Sequence, residues 1–399
     1  MTIGIDARFY GPIGKGLGRY VQEVVDNIVK ITGDQPEDNS FKFVIFLSAS
    51  NFDEFRCERT DIKKVRLDCA WYGFKEQLFM PFYIWREKVD LMHFPHFNVP
   101  IFTPVKFVLT IHDLILTNFP TVKATTRGRL VYYLKNLAYR LVIFFALRRA
   151  QLIIAVSNFT KDDIVNKFKI SADKITVIYE GVANLSRGRD SLFVAKLDSQ
   201  EILNQYNIPE NFLLYVGNAY PHKNLESLLR VFSRLHTMRP EMRLVLVGRS
   251  DYFYERIKNV ARSLNLWQAE NHNSAVIFPG YVPDAQLEVF YGAARAYIFP
   301  SLYEGFGLPP LEAMANSCPV LSSDRSSLPE ILGKAAVYFN PNNEDEMLEK
   351  MIIVLDNEEE RSNLKQQGHE QAKKYHWWDC ARQTLTIYEQ VLKKSSNDR

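Results

Sequence analysis

The sequence lacks paired cysteines. Its four, Cys57, Cys69, Cys318 and Cys380, lie far apart, and none forms a Cys-x-x-Cys. That argues against a zinc ribbon, a redox pair or a disulfide framework, and the chain reads as reduced and cytoplasmic. Long apolar runs are also lacking. The longest obvious one, Leu141–Leu147, has seven residues, against the ~20 that a membrane helix needs. Asp6 and Arg8 interrupt any signal-peptide pattern at the start. Glycine and proline, 18 each in 399 residues, are too few for a collagen-like or disordered chain. No Gly-x-Gly-x-x-Gly follows a strand at the spacing a dinucleotide needs, so no NAD-type cofactor is implied. No short-period repeat is present.

What is there reads as a globular enzyme-sized chain. Apolar residues at 47% and charged residues at 24% are ordinary for a soluble protein. The length suggests two domains. Short β-branched runs predict strands at 2–5, 41–47, 64–67, 91–94, 107–111, 152–156 and 175–178, with helical stretches such as 17–31, 127–147 and 158–169 between them. The texture changes at Gly181, and the pattern then restarts with strands at 212–216, 243–247, 275–278, 296–299, 319–322 and 335–339. Helices fit between these at 225–238, 252–264, 284–292 and 308–316. Such alternation predicts an α/β fold with parallel sheets and helices on both faces. The domains are 1–182 and 199–376, with a linker at 183–198. The last forty residues read as wholly helical. Two doubly wound domains would offer ligand loops at the carboxyl ends of their strands, across a shared cleft.

The net charge of +3 says little, but its distribution says more. From Leu114 to Lys161 there is no acid, while eight Lys and Arg are interspersed with aromatics. One reading of residues 123–149 is a basic amphipathic helix on an anionic membrane surface. The other is an ordinary helix with a solvated basic face. Nothing in the pattern points to nucleic acid.

The most informative stretch is Phe299–Ala315, FPSLYEGFGLPPLEAMA, which follows a strand and opens a helix. Gly305 and Gly307 let backbone N–H groups approach a ligand, and a helix N-terminus favours phosphate oxygens. Glu312, eight residues after Glu304, would come within reach of a ribose diol, and Glu304 would sit where a sugar on the diphosphate ends. The alternative is a glycine-rich turn with two surface acids.

This segment resembles the Glu-x7-Glu signature of the retaining glycosyltransferases of family 4, and in particular a mannosyltransferase-like branch. The resemblance covers most of the chain and implies the GT-B fold: two facing Rossmann-like domains with a cleft between them, and a C-terminal helix, 377–399, returning to the N-terminal domain. It also implies roles. Glu312 would hold the donor ribose, the backbone of Gly305, Phe306, Gly307 and Leu308 the sugar and phosphates, and Glu304 the transferred sugar. Val216–Leu225, VGNAYPHKNL, resembles the loop whose lysine pairs with the donor diphosphate, here Lys223. Many members carry an Arg a few residues earlier. Here the slot is Gly217-Asn218-Ala219, and Arg249 is the candidate to compensate. Gly280–Leu287 resembles the nucleobase loop, with Tyr281 and Val282 at the base.

In the first half, Gly14–Arg19 resembles the loop over the donor phosphates, with Gly16 the contact, while Asp6 and Arg8 pair to order it. TIHDLIL supplies His112 near the donor sugar, with Asp113 orienting its loop. His93 and His96 would line the acceptor side. Ser157 reads as a helix cap. The catalytic set implied is His112, Lys223 and Glu304. The chain has no Asp-x-Asp, the metal pair of the GT-A transferases, so neither metal nor other cofactor is expected. The implied reaction is retaining transfer of a hexose from a nucleoside-diphosphate sugar, with GDP-mannose the first choice. The acceptor would be a glycan or lipid-linked glycan of surface polysaccharide or O-antigen synthesis, at the inner face of the membrane. The alternatives are a non-catalytic sugar- or nucleotide-binding scaffold and a GT-B nucleotide-sugar epimerase.

Overall fold

The computed structural model describes residues 1–12, 15–34, 41–69, 71–119, 129–182, 199–269 and 273–397. The expected linker, 183–198, lies outside these residues, as does the first part of the basic segment. The chain divides into two compact units: Met1–Gly181 with His376–Arg399, and Val182–Tyr375.

The first unit carries a parallel sheet of seven strands: β1 (Thr2–Asp6), β2 (Lys42–Leu47), β3 (Ile62–Arg66), β4 (Leu91–Phe94), β5 (Lys106–Ile111), β6 (Leu152–Ala155) and β7 (Ile175–Val177). Their order is β3-β2-β1-β4-β5-β6-β7. In register, Ile3 stands between Phe43 of β2 and Leu91 of β4. The crossovers include α1 (Lys15–Asp34), α2 (Phe74–Arg86), the short α3 (Ile115–Asn118), α4 (Arg129–Arg149) and α5 (Asn158–Phe168). Strands covered on both faces read as continuous apolar runs, which is why β4 and the body of β1 are buried throughout. Helix α1 buries Tyr20, Val21, Val24, Val25 and Ile28, a stripe at helical spacing. Ser157 caps α5, its hydroxyl accepting from the Thr160 amide.

The second unit repeats the plan. Strands β8 (Phe212–Val216), β9 (Arg243–Val247), β10 (Val276–Gly280), β11 (Ala296–Phe299), β12 (Val320–Ser323) and β13 (Ala336–Phe339) form a parallel sheet in the order β10-β9-β8-β11-β12-β13. Its helices are α6 (Ser199–Gln205), α7 (Leu225–Met238), α8 (Tyr252–Ser263), α9 (Asp284–Ala293), α10 (Leu308–Ala315), α11 (Leu328–Leu332), α12 (Glu344–Asp356) and α13 (Glu358–Ala372). Both sheets are doubly wound. The strand order reverses between β1 and β4 and between β8 and β11, the places where such sheets bind ligands.

Three expectations need correction. The last forty residues are not wholly helical: α13 stops at Ala372, and the C-terminal helix, expected at 377–399, runs Trp377–Asn397. The break falls where the chain leaves the second unit. The Tyr375 hydroxyl is held by the Ile331 carbonyl and its own carbonyl by the Val182 amide. Residues from His376 onward belong to the first unit. There the C-terminal helix sends the Tyr388 hydroxyl to His93 Nδ1 at 2.6 Å, and Trp377 meets Tyr20 edge-on. Helix α2 has no counterpart among the expected helices, because its apolar residues lie on both sides and Pro81 interrupts it. Gly16 lies inside the first turn of α1 rather than in a loop.

Candidate active site

In the second unit the turns after β8, β11 and β12 are tied together at the carboxyl edge of the sheet. The His222 carbonyl, after β8, accepts from the Leu302 amide at 2.7 Å and lies 3.1 Å from the Ser301 hydroxyl. The Ser323 hydroxyl, at the end of β12, donates to the Ser301 carbonyl at 2.5 Å. Two further serines fix the next residues. Ser326 Oγ accepts from the Glu304 amide at 2.8 Å, and Ser327 Oγ sits 3.1 and 3.0 Å from the carbonyls of Glu304 and Phe306. Gly307 then turns the chain into α10 at φ 106°, where a Cβ would stand 2.8 Å from Leu328 Cδ2, so glycine alone fits. Pro309 and Pro310 carry no N–H, which leaves Leu308 as the amide donor of the helix's first three residues.

Into this scaffold Lys223 and Glu304 project toward each other. Lys223 ends a short turn, Pro221–Lys223, and its Nζ lies 2.5 Å from Glu304 Oε1. Both residues are 8% exposed. The same ammonium stands 5.2 Å from the centre of the Phe299 ring. Burial, with the Lys223 charge adding to it, pushes the neighbouring His222 imidazole down to about 4, so that ring is neutral. Glu312 is buried in the second turn of α10, where its carboxylate accepts a long hydrogen bond, 3.4 Å, from Tyr291.

Farther along the same edge, Gly217 follows β8 with its carbonyl taking the Tyr254 hydroxyl at 2.8 Å. Arg249, after β9, lays its guanidinium 5.0 Å from the ring centre of Tyr281, after β10, and both are exposed. Val282 is buried. Arg249 therefore stacks with Tyr281 rather than joining the Lys223–Glu304 pair.

In the first unit His112 follows β5. Its Nδ1 lies 2.7 Å from Glu180 Oε1 and its Nε2 3.0 Å from the Pro95 carbonyl. Two acceptors facing the two ring nitrogens suit the imidazolium, which donates from both. Burial opposes that charge, but the Glu180 hydrogen bond and charge outweigh it, and the pKa is raised above 6.5. Glu180, buried just past β7, escaped the sequence reading. The one available signal was an acid three residues past an apolar strand. Asp113 adds its charge to the same rise in the His112 pKa. Its Oδ1 accepts from the Ile115 amide and shapes the turn.

His93 does not line a surface. It is fully buried between Tyr388 and Thr110, whose Oγ1 is 2.8 Å from Nε2, and burial holds its pKa at about 3. His96 is half-buried against Phe97, ring centres 4.0 Å apart. Arg8 does pair with Asp6, at 2.7 and 2.6 Å, but it also bonds Glu76 of α2, so it ties β1 to that helix. An added Cβ on Gly16 would meet nothing within 4 Å, whereas on Gly18 it would strike the Gly11 carbonyl at 2.1 Å. Gly18 is thus required by packing, and Gly16 borders open space. Among the described residues no group of three or more His, Cys, Asp or Glu could hold a metal ion.

Two doubly wound α/β units in one chain give it the architecture of the GT-B class. The family models "Glycosyl transferases group 1" and "Glycosyltransferase Family 4" match residues 198–371 and 56–183. The chain belongs to glycosyltransferase family 4. It is 31% identical over 304 residues to O-antigen chain mannosyltransferase B of Escherichia coli, covering 75% of this chain and 74% of that one. It is 29% identical over 295 residues to the serotype-specific mannosyltransferase WbdA of Escherichia coli, covering 73% of this chain but about a third of that protein's length, 34%. Among solved structures, sucrose-phosphate synthase from Thermosynechococcus elongatus shares the fold, with a TM-score of 0.74, 20% identity and coverage of 99% and 100%.

Proposed function

We propose that this glycosyltransferase moves a mannosyl unit from GDP-mannose to a hydroxyl of a growing surface glycan, with retention of configuration and without a metal ion. The observation that carries the reading is the buried Lys223–Glu304 pair, with Glu304 in the loop that Gly307 turns into α10. An ammonium held in a desolvated setting suits a diphosphate leaving group, since electrostatic stabilisation strengthens where water is excluded. Glu312, one turn into α10, serves the ribose diol. Arg249 and Tyr281 form an exposed cation–aromatic stack suited to a nucleobase face.

The likeness to O-antigen mannosyltransferases supports mannose and an O-antigen-type acceptor. Transfer proceeds on the face from which the diphosphate leaves. The acceptor oxygen bonds to the anomeric carbon as the carbon–oxygen bond to phosphate breaks. The electron pair leaves with the nucleoside diphosphate, and a phosphate oxygen takes the acceptor's proton. Lys223 and the Leu308 amide stabilise the charge on that phosphate, and Glu304 positions Lys223. The acceptor is lipid-linked at the inner membrane face, and the chain reaches it peripherally. No helix of the described residues is long and apolar enough to cross a membrane.

The test is the product's anomeric configuration, read by NMR on the first-formed linkage, with EDTA present. The same configuration as the donor is expected. Inversion, or activity abolished by EDTA, refutes the mechanism.

A further inference from the structure

Helix α2 carries apolar residues on its outward side as well as toward the core. Its inward face, Glu76, Met80 and Ile84, is buried. Its outward face presents Phe74, Leu78, Phe82 and Trp85 at helical spacing, with Phe79 beside them. Phe74 is 81% exposed and Trp85 69%. Helix α4 does the same: Ile143, Ala146 and Leu147 face the core, while Leu137, Leu141, Phe144 and Phe145 are exposed. The loop between β4 and β5 joins the two. Gln77 of α2 accepts from the Ile101 amide at 2.9 Å, and Arg149 of α4 donates to the carbonyls of Ile101 and Thr103. Between them Phe102 is 80% exposed. Three elements of one unit, joined through this loop, therefore each expose large apolar side chains.

The charges on this surface are mostly basic; its acids are paired, Glu87 with Arg86 at the end of α2 and Asp68, beside Phe79, with Arg66. The exposed ionic residues of α2 are Lys75 and Arg86, and those described on α4 are Lys135, Arg140, Arg148 and Arg149. Glu76, the acid of α2, is buried on Arg8, and α4 has none. The Arg148 guanidinium lies 4.6 Å from the Phe144 ring centre, its head beside the apolar stripe.

We infer that this surface, led by the aromatic stripe of α2, seats on a bilayer rich in anionic lipid. Aromatic residues rimmed by lysine and arginine match the acyl–headgroup boundary, and negative headgroups complement the basic rim. A second copy of the chain would set like charges against each other. The inference deepens the lipid-linked acceptor reading and rests on it for its purpose but not for its readout, since vesicle binding requires no turnover. It moves the centre of contact from the basic stretch 123–149 to α2.

The experiment is co-sedimentation of the full chain with vesicles of equal parts phosphatidylcholine and phosphatidylglycerol, and with pure phosphatidylcholine. Binding to the mixed vesicles is expected, weakened by salt. Phe74→Ser/Phe82→Ser/Trp85→Ser should lower partitioning at least about tenfold, and Lys75→Gln/Arg148→Gln also by roughly tenfold. Every substituted side chain is exposed, so the fold and sugar-nucleotide turnover on a soluble acceptor should persist. Equal vesicle binding by the triple variant overturns the inference. So does absence of binding by the unaltered chain, or a dimer in sedimentation velocity that the triple variant disperses.

Discussion

Replacing Lys223 by alanine separates two consequences of one pair. The ammonium and the Glu304 carboxylate are 2.5 Å apart, with side chains 10% exposed each. Removing one partner leaves the other charge buried and uncompensated, which costs about 3–5 kcal/mol. For a unit of this size that is a fall in Tm of roughly 6–20 °C. Removing the cation that meets the leaving diphosphate should also lower transfer more than ~100-fold, about 3–4 kcal/mol of barrier. Lys223→Met/Glu304→Gln tells the two effects apart. With no unpaired charge remaining, the double variant should recover most of the lost stability, yet its transfer rate should stay low. The assays are thermal unfolding and nucleoside diphosphate release at saturating donor. Near-normal kinetics in Lys223→Ala, or activity that returns together with stability in the double variant, refutes the reasoning.

Other consequences follow from the same geometry. Ser327→Ala removes the hydroxyl beside the Glu304 and Phe306 carbonyls. It should cost about 1–3 kcal/mol and raise KM for donor, whereas an unchanged KM would mean the loop holds without it. His112 has its pKa raised in the fold, so its contribution to stability is fully present below pH 6.5 and is lost as pH rises through the folded value. Glu180→Gln should bring that titration down, read from the His112 ring protons by NMR, and titration of unaltered His112 below 6.5 contradicts the assignment. His93, held at about 3, acts with the opposite sign. Its share of stability is present above pH 6.5 and falls away as pH drops toward 3, so His93→Gln should flatten the acid limb of the unfolding profile.

The strands were legible because parallel strands buried on both faces must be apolar and β-branched. Leu91–Phe94, Phe212–Val216, Arg243–Val247 and Ala296–Phe299 have the bounds their sequences suggest. Helix α2 was not legible, because a helix apolar on the core side and aromatic on the outer side has no single stripe to read. The loop Glu304–Leu308 and the lysine after β8 stand out as glycine-, proline- and charge-bearing strand ends. That Lys223 closes on Glu304, 81 residues away, is long-range geometry and invisible to local pattern. The same holds for Glu180, which reaches back 68 residues to His112, and for the serines after β12, which read as an ordinary polar turn until their hydroxyls are placed on the β11 loop. His93 shows the reverse error: a histidine in a strand-end motif looked like a site residue, and its two nitrogens are spent on Tyr388 and Thr110.

The most direct test of the central claim is release of nucleoside diphosphate from a panel of sugar nucleotides. It would be run in EDTA, with and without lipid-linked acceptor extract, and with Glu312→Ala alongside. The account predicts acceptor-dependent release from GDP-mannose that EDTA leaves unchanged and that the variant loses. Release of a different nucleotide, or of none while nucleotide still binds, would contradict it.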